Sequence, residues 1–531
     1  MRTYRVHIAG EELDGKGFVH VPNASALLTD PLSVLTRKGE LDAGGNPADQ
    51  EPAMAGRVAL ATDEQIHQAL RAAREAQPVW AAAPLARRIS LMAAFRQAVL
   101  DNFDELVELL GQEGHPPRLA RWELSGIVNS AAPESLERLS SLMESRGTSG
   151  DREIRLVRKA DGVVCLSPPK NAALSNGCMG LWALVAGNAL VVGAPRSAPL
   201  GVAHIYQRIV APILESLGAP PGVLSVVCAP TVSLLSTWLE SDDVDDIYYF
   251  GSAERGRQVG IDCFTRGKKP VLELSGNDGA LVWRDAETDL AARALAECFH
   301  GAGQICMVPR YALAHPDIAD QLIGRLADEA RAVRPGLPDD PEVVTSPVLR
   351  KEEFLAAVRQ CTDAGATLVT GGYMTGLDGS PDPDGFFAAP TVVRIDGLAA
   401  ARELTAVTEE TFFPLMCVVV PTPEEAAAET PLLDQALGFL NRNAYGLRNS
   451  LWAQDPEVIE EVVSRLSNGG LLKINDSHTG FVPQLPTHGG TGLTSGPFGE
   501  GALPSLHTSH LQGISIATGV SPRSAVFDLG V

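Results

Sequence analysis

Gly162-Val-Val-Cys-Leu-Ser-Pro-Pro-Lys-Asn171 is an apolar run of strand length that ends in a proline turn. Three more such runs follow, Ala189–Val192, Val223–Val227 and Ile247–Phe250, each separated from the last by a segment long enough for a helix. Alternation of this kind predicts parallel strands joined by right-handed crossovers, the doubly wound α/β architecture. Such sheets bind ligands beyond the carboxyl ends of their strands, so the turns after the runs are where chemistry is expected. The alternation resumes after Glu273 with Gly279–Trp283, a helical stretch from Asp289 to about Phe299, and Tyr311–His315. Two α/β domains with a cleft between them are therefore expected, and a chain of 531 residues exceeds the usual size of one core.

Upstream, about 60 residues read as irregular. A helix is then expected from the capping box Thr62 to Gln65, with Ile66, Ala69, Leu70 and Ala73 on one face. A second helix is expected from about Arg88, through Phe95, Val99 and Phe103, to a stop at Gly111. The tail after Gly480 is rich in Gly, Pro, Ser and Thr and reads as a surface wrap.

Composition narrows the function. A formal charge of −22 argues against nucleic-acid and anionic-membrane surfaces, which need a basic footprint. No apolar run reaches the ~18 residues needed to cross a bilayer, and no apolar stretch follows the first arginines. Eight scattered cysteines fit reduced thiols better than a disulfide framework. The expectation is a soluble, cytoplasmic protein without nucleic-acid or membrane partners.

Five segments could carry chemistry. Phe299-His-Gly-Ala-Gly-Gln-Ile-Cys306 sets a thiol after a glycine-rich turn, with the cysteine's own amide available to an oxyanion. The alternatives are an inert core cysteine or, with Cys298 and His300, a metal site that lacks a second ligand pair. Val271-Leu-Glu-Leu-Ser-Gly276 buries Glu273 at a strand end, where a raised pKa suits a general base; the same carboxylate could cap an amide. Asn171 could aim its amide at a carbonyl oxygen or simply cap a helix. Tyr249-Phe-Gly-Ser-Ala-Glu-Arg-Gly256 offers a helix start to a pyrophosphate, without matching either Gly-rich nucleotide fingerprint. Thr408-Glu-Glu-Thr-Phe-Phe-Pro414 by itself reads as a turn before the strand Leu415–Val420.

In this order, closing with the glycine-rich Thr487-His-Gly-Gly-Thr-Gly-Leu-Thr-Ser-Gly496, the segments resemble the aldehyde dehydrogenase superfamily. The likeness runs from about Ala61 to Ser495. It implies NAD(P)-dependent oxidation of an aldehyde to a carboxylic acid. Cys306 would be the nucleophile, Asn171 the oxyanion donor and Glu273 the general base. Lys170, Arg196, Gly251, Ser252, Leu274, Glu410 and Phe412 would contact the cofactor, with Ser252 at the pyrophosphate and Glu410 and Phe412 at the nicotinamide riboside. Ala172, Asn176, Met179, Ile305, Met307 and Phe481 would line the substrate tunnel, and no metal is implied. The small Ala172 leaves room for a bulky or functionalised aldehyde.

The resemblance also implies a domain layout. Residues 1–150 and 160–272 would bind the dinucleotide and 273–479 would be catalytic. Residues 151–159 and 480–531 would form an oligomerisation flap and tail in a homodimer or homotetramer.

Several positions depart from the family pattern, all on the cofactor side. In Gly187-Asn-Ala-Leu-Val-Val-Gly-Ala-Pro-Arg196, Gly193 stands for the usual lysine and Arg196 for the usual acid. Lys170 replaces a tryptophan, Asn277 a lysine and Phe413 a glycine. Loss of an acid and gain of an arginine lean the cofactor towards NADP over NAD. Two other readings stay open: a CoA-acylating or acyl-thioester-reducing enzyme, whose relatives commonly lack the general base, and a scaffold of the same fold with impaired catalysis.

Overall fold

The computed structural model describes residues 1–48, 51–150, 152–428 and 430–517. The four apolar runs are strands of one seven-stranded sheet. We number its strands β1 (Val6–Ile8), β2 (Glu11–Leu13), β3 (Val163–Ser167), β4 (Ala189–Ala194), β5 (Leu224–Cys228), β6 (Asp246–Phe250) and β7 (Lys269–Glu273). Their order across the sheet is β7-β6-β3-β4-β5-β1-β2. The five from β3 to β7 are mutually parallel, as a sheet covered by helices on both faces requires. β3 to β6 are buried at every residue, which explains their unbroken apolar character.

A second seven-stranded sheet begins five residues after Glu273. It contains β8 (Asp278–Val282), β9 (Pro309–Ala314), β10 (Thr367–Thr370), β11 (Thr391–Asp396), β12 (Leu415–Val420), β13 (Arg448–Trp452) and β14 (Leu471–Ile474). The order is β10-β11-β12-β9-β8-β13-β14, with β10 antiparallel at the edge. The apolar cores divide at the same place: one large cluster runs from Tyr4 to Leu274, and others start at Ala280 and Leu281.

Three sequence expectations need correction. The first 60 residues are not irregular: β1 joins the first sheet antiparallel to β5 and β2 pairs antiparallel with β1, while Arg2–Tyr4, Phe18–Pro22 and Met54–Ala59 form a small sheet of their own. These strands are three to six residues long, too short for periodicity to register. The helix after Arg88 is two helices, Leu85–Asp101 and Phe103–Gln112, broken at Asn102; Gly111 lies inside the second, and Gly114 takes the left-handed conformation beyond it. The tail after Gly480 does more than wrap a surface. Its strand Ser509–Ala517 pairs antiparallel with Arg152–Ala160, which also pairs with Glu144–Ser149. Asp151 and residues 518–531 of the expected flap lie outside the described residues.

The capping box at Thr62 has both of its reciprocal bonds and starts a helix over Asp63–Ala81. Among the described residues, no helix is long and apolar enough to cross a membrane.

Candidate active site

The carboxyl ends of β3, β6 and β7 lie side by side, with Ser167 beside Tyr249 and Phe250 beside Glu273. The turn before Cys306 is unusual backbone. Gly301, Ala302 and Gly303 all have φ between 55 and 67°, a region that an alanine rarely occupies. A Cβ on Gly303 would stand 2.4 Å from the Phe413 carbonyl oxygen, so only glycine lets the turn pass there. Buried Arg310 holds the turn open, donating from Nη1 to the Gly303 carbonyl and from Nη2 to the Ile305 carbonyl, each at 2.7 Å. Gln304 ties the same turn to Pro347, donating from Nε2 to its carbonyl at 2.7 Å.

Cys306 is half-buried, whereas the other seven cysteines are buried; Cys298 points its thiol at the Leu415 carbonyl. Burial, with help from Glu410 and Asp278, pushes the Cys306 thiol up to about 12 against the opposing pull of Arg448. The resting sulfur is therefore protonated, and its proton must leave as the sulfur bonds to carbon.

Asn171 does not cap the next helix. Its Nδ2 donates to the Gln304 carbonyl at 2.9 Å, which sets the carboxamide against the cysteine turn and leaves its second N–H for another acceptor. Glu273 is buried, and desolvation raises its pKa to about 8. Gly489 donates its amide to Oε2 at 2.7 Å and the Tyr248 hydroxyl lies 3.4 Å from Oε1. Glu273 makes no hydrogen bond to Cys306. The loop after it approaches the cysteine closely: a Cβ on Gly276 would meet the Cys306 carbonyl oxygen at 2.2 Å.

Six expected tunnel residues, Ala172, Asn176, Met179, Ile305, Met307 and Phe481, line one cavity of about 450 Å³ together with Lys170, Asn171 and Cys306. Phe481 stacks on Trp122 with ring centroids 5.2 Å apart. Asn176 accepts from His488 Nε2 at 3.0 Å. The other candidates lie outside the lining of this cavity. Glu410 accepts the Gly276 amide at 2.9 Å, and half-buried Phe412 has the guanidinium carbons of Arg310 and Arg350 at 5.9 and 5.7 Å from its ring centroid. Leu274 donates its amide to the Thr494 carbonyl at 2.9 Å and packs beneath Gly256. Gly251 and Ser252 start the helix Ala253–Thr265, where Ser252 Oγ accepts the Arg255 amide at 3.3 Å as an N-cap.

Arg196 is exposed just past β4. At Gly193 a Cβ would meet Leu234 at 2.8 Å and Trp238 at 2.9 Å, so the helix Thr231–Glu240 fills the space a side chain would need. Asn277 donates from Nδ2 to the Val407 carbonyl at 2.8 Å, while its Oδ1 and Thr411 Oγ1 are buried without a partner. Phe413 is buried against Phe354.

Sequence reading missed several residues that shape the site. Arg310 and Arg448 are almost fully buried and act on backbone carbonyls, with Arg448 donating to those of His478 and Thr487. Their signal was weak, because an arginine inside an apolar strand looks like an edge residue. Glu113, His115 and Glu123 also line the cavity, and no spacing rule pointed to them.

Comparison with known proteins agrees with the architecture. The family model described as "Aldehyde dehydrogenase family" matches residues 43–502. A vanillin dehydrogenase from Pseudomonas fluorescens is 27% identical over 507 residues, covering 93% of this chain and 98% of that one. A D-glyceraldehyde dehydrogenase (NADP(+)) from Thermoplasma acidophilum is 25% identical, covering 80% and 85%. The crystal structure of a Mycobacterium tuberculosis aldehyde dehydrogenase complexed with NAD+ superposes with a TM-score of 0.78 at 22% identity, over 98% of this chain and 99% of that one.

Proposed function

The chain belongs to the aldehyde dehydrogenase family and is an NAD(P)-dependent enzyme of aldehyde oxidation, and on that footing we propose that Cys306 is its nucleophile, Asn171 its oxyanion donor and Glu273 its general base. The observation that carries the assignment is the bond from Asn171 to the Gln304 carbonyl. It joins the strand-end carboxamide to the turn of the most accessible thiol in the chain.

In this reading Cys306 Sγ bonds to the aldehyde carbon as its proton leaves to solvent. The new oxyanion takes hydrogen bonds from the free N–H of Asn171 and the Cys306 amide. A bound NAD(P) supplies the acceptor for the hydride that leaves the resulting thiohemiacetal carbon. Glu273 then takes a proton from water as that water attacks the thioester, and the carboxylic acid departs as the sulfur regains a proton. Gly489 and Tyr248 engage the Glu273 carboxylate, and it makes no hydrogen bond to the thiol.

The residues present fit the cofactor at two of its ends. Gly251 and Ser252 lead into a 13-residue helix whose amino end favours a pyrophosphate. Glu410 and Phe412 stand by the Cys306 turn for the nicotinamide riboside, where Thr411 Oγ1 is a buried hydroxyl still open to a partner. At the adenosine end no side chain can leave Gly193, and exposed Arg196 just past β4 offers a charged group that favours the 2′-phosphate of NADP. The same closure at Gly193 supports a second reading, a scaffold with impaired cofactor binding. Further parts of the proposal are the division near Glu273 into dinucleotide-binding and catalytic portions, a cytoplasmic setting, and a homodimer or homotetramer joined through the flap, where Leu156, Leu511 and Ile516 are exposed.

The test is reduced-nicotinamide absorbance with a panel of aldehydes, run separately with NAD and NADP, on wild type and Cys306→Ser. Turnover that survives in Cys306→Ser removes the nucleophile assignment. Absence of turnover with every aldehyde and either cofactor favours the scaffold.

A further inference from the structure

The cavity that holds Cys306 reaches a part of the chain that the catalytic reading leaves unused. Asn23 caps a short helix, Ala24–Thr29, by accepting the Ala26 amide at 3.2 Å, and its own amide donates to the Ala53 carbonyl at 2.9 Å. The helix leans on the turn between Phe103–Gln112 and Pro117–Ser130, where a Cβ on Gly114 would stand 3.6 Å from the Ala24 Cβ. Ala24, Leu27 and Leu28 thereby form part of the wall that Cys306 also lines. This helix lies ahead of residue 43, where the family match begins.

Leu27 and Leu28 differ in what else they touch. Leu27 packs against the small apolar cluster of Val34, Leu41 and Met54. Leu28 is half-buried and belongs to none of the apolar clusters of the described residues. Its side chain faces the cavity without an apolar partner, so an apolar ligand there removes it from water. Met92, Phe95, Leu119 and Trp182 continue the same apolar wall.

The polar groups on this wall are already engaged. Glu113 uses both carboxylate oxygens on the Leu200 and Gly201 amides, at 2.8 and 2.9 Å. Glu123 accepts the Ser175 hydroxyl at 2.8 Å on Oε2 and His115 Nδ1 on Oε1. Trp122 Nε1 donates to the Thr479 carbonyl at 3.3 Å, and the Ser130 hydroxyl to the Ile127 carbonyl at 2.8 Å. Two carboxylates against one imidazole disfavour an anionic ligand, and the Lys170 side chain is exposed, where water screens its charge.

We propose that Leu28, with Leu27, is a specificity-determining residue that selects aldehydes carrying an uncharged apolar tail; this rests on Cys306 being the nucleophile of the same cavity. At about 450 Å³ the cavity is of a size that holds a molecule well beyond a two- or three-carbon aldehyde. Tail methylenes laid on this wall leave water, whereas a charged tail loses hydration and finds no free partner.

The experiment measures kcat/KM for straight-chain aldehydes from propanal to octanal. In wild type the value should rise by about fourfold for each methylene that reaches the wall. Octanal should exceed both 8-oxooctanoate and a trimethylammonio aldehyde of the same length by about tenfold or more. Leu28→Trp fills the space of the tail, so it should cost octanal about tenfold more than propanal and move the optimum to shorter chains. Calorimetry without turnover gives an independent reading: octanamide should bind wild type about tenfold or more tighter than propanamide, and Leu28→Trp should shrink that ratio.

A wild-type series that does not rise with chain length would overturn the assignment, as would a charged tail that matches octanal. Equal losses for octanal and propanal in Leu28→Trp would also overturn it. If no aldehyde turns over but the amides bind as expected, the catalytic reading fails and the apolar subsite stands; if the amides are not separated either, both fall. Should Leu28→Trp not fold, the wild-type series and Leu28→Ala, which should lower the octanal to propanal ratio, decide.

Discussion

The two ends of the proposed reaction path are built on different physics. At the thiol end, position is set by backbone contacts that admit no slack. Gly276 and Gly303 touch neighbouring carbonyls, Ala302 sits in a strained conformation, and Arg310 clamps both sides of the turn. At the adenosine end, the contacts are exposed or absent: Arg196 faces solvent, and Gly193 presents nothing past Leu234 and Trp238. Chemistry at a reacting carbon depends on placement to a fraction of an ångström, whereas a phosphate can be held by one mobile cation. The contrast predicts large, specific losses at the first end and modest ones at the second.

The largest effect should come from Cys306→Ser, which should cut turnover by roughly three orders of magnitude or more while NAD(P) binding stays near wild type. Fluorescence titration beside steady-state rates checks both halves. A variant that loses cofactor affinity in parallel would erase the distinction between the two ends.

Glu273→Gln should lower steady-state turnover by about a hundredfold or more, yet still release one burst of reduced cofactor per site before stalling. In wild type, kcat should rise with pH through about 8, because only the ionised carboxylate takes a proton from water and burial holds its pKa there. That rise should vanish in the glutamine variant. A stopped-flow trace without a burst would mean that Glu273 also serves the first attack.

Arg310→Met tests whether the thiol end is held by its clamp. It leaves the Gly303 and Ile305 carbonyls unpaired, at about 1–3 kcal/mol each, so urea unfolding should detect a loss of roughly 2–6 kcal/mol. Activity should fall further than this global loss explains. Normal turnover in the folded variant would show that the turn keeps its own shape.

Arg196→Glu is expected to have the smallest effect, about a tenfold weakening of NADP with NAD much less affected. Equal changes in both dissociation constants would mean that Arg196 does not reach the ribose, and the NADP preference would fall.

What could be read in advance follows the range of the interactions involved. The strand runs of the first sheet, the capping box at Thr62 and the ordered segments around Asn171, Ser252, Glu273, Cys306 and Glu410 are local patterns, and each is written within about ten consecutive residues. They determined an α/β chain of this family and the residues to inspect. The short strands of the first 60 residues escaped notice because three residues show no period; they exist by pairing with partners such as Ser225 and Val226, far along the chain.

Tertiary structure alone decided the rest. Glu273 is restrained by the Gly489 amide, 216 positions away, and Asn171 meets the carbonyl of Gln304 at a separation of 133. The arginines at 310 and 448 became internal clamps, and a turn between two helices put His115 into the same cavity as the thiol. Residue types and their spacing specify which groups can react, because that chemistry is local. Which groups are desolvated, and which are paired, depends on contacts across the fold, and those set the protonation state of Cys306 and Glu273.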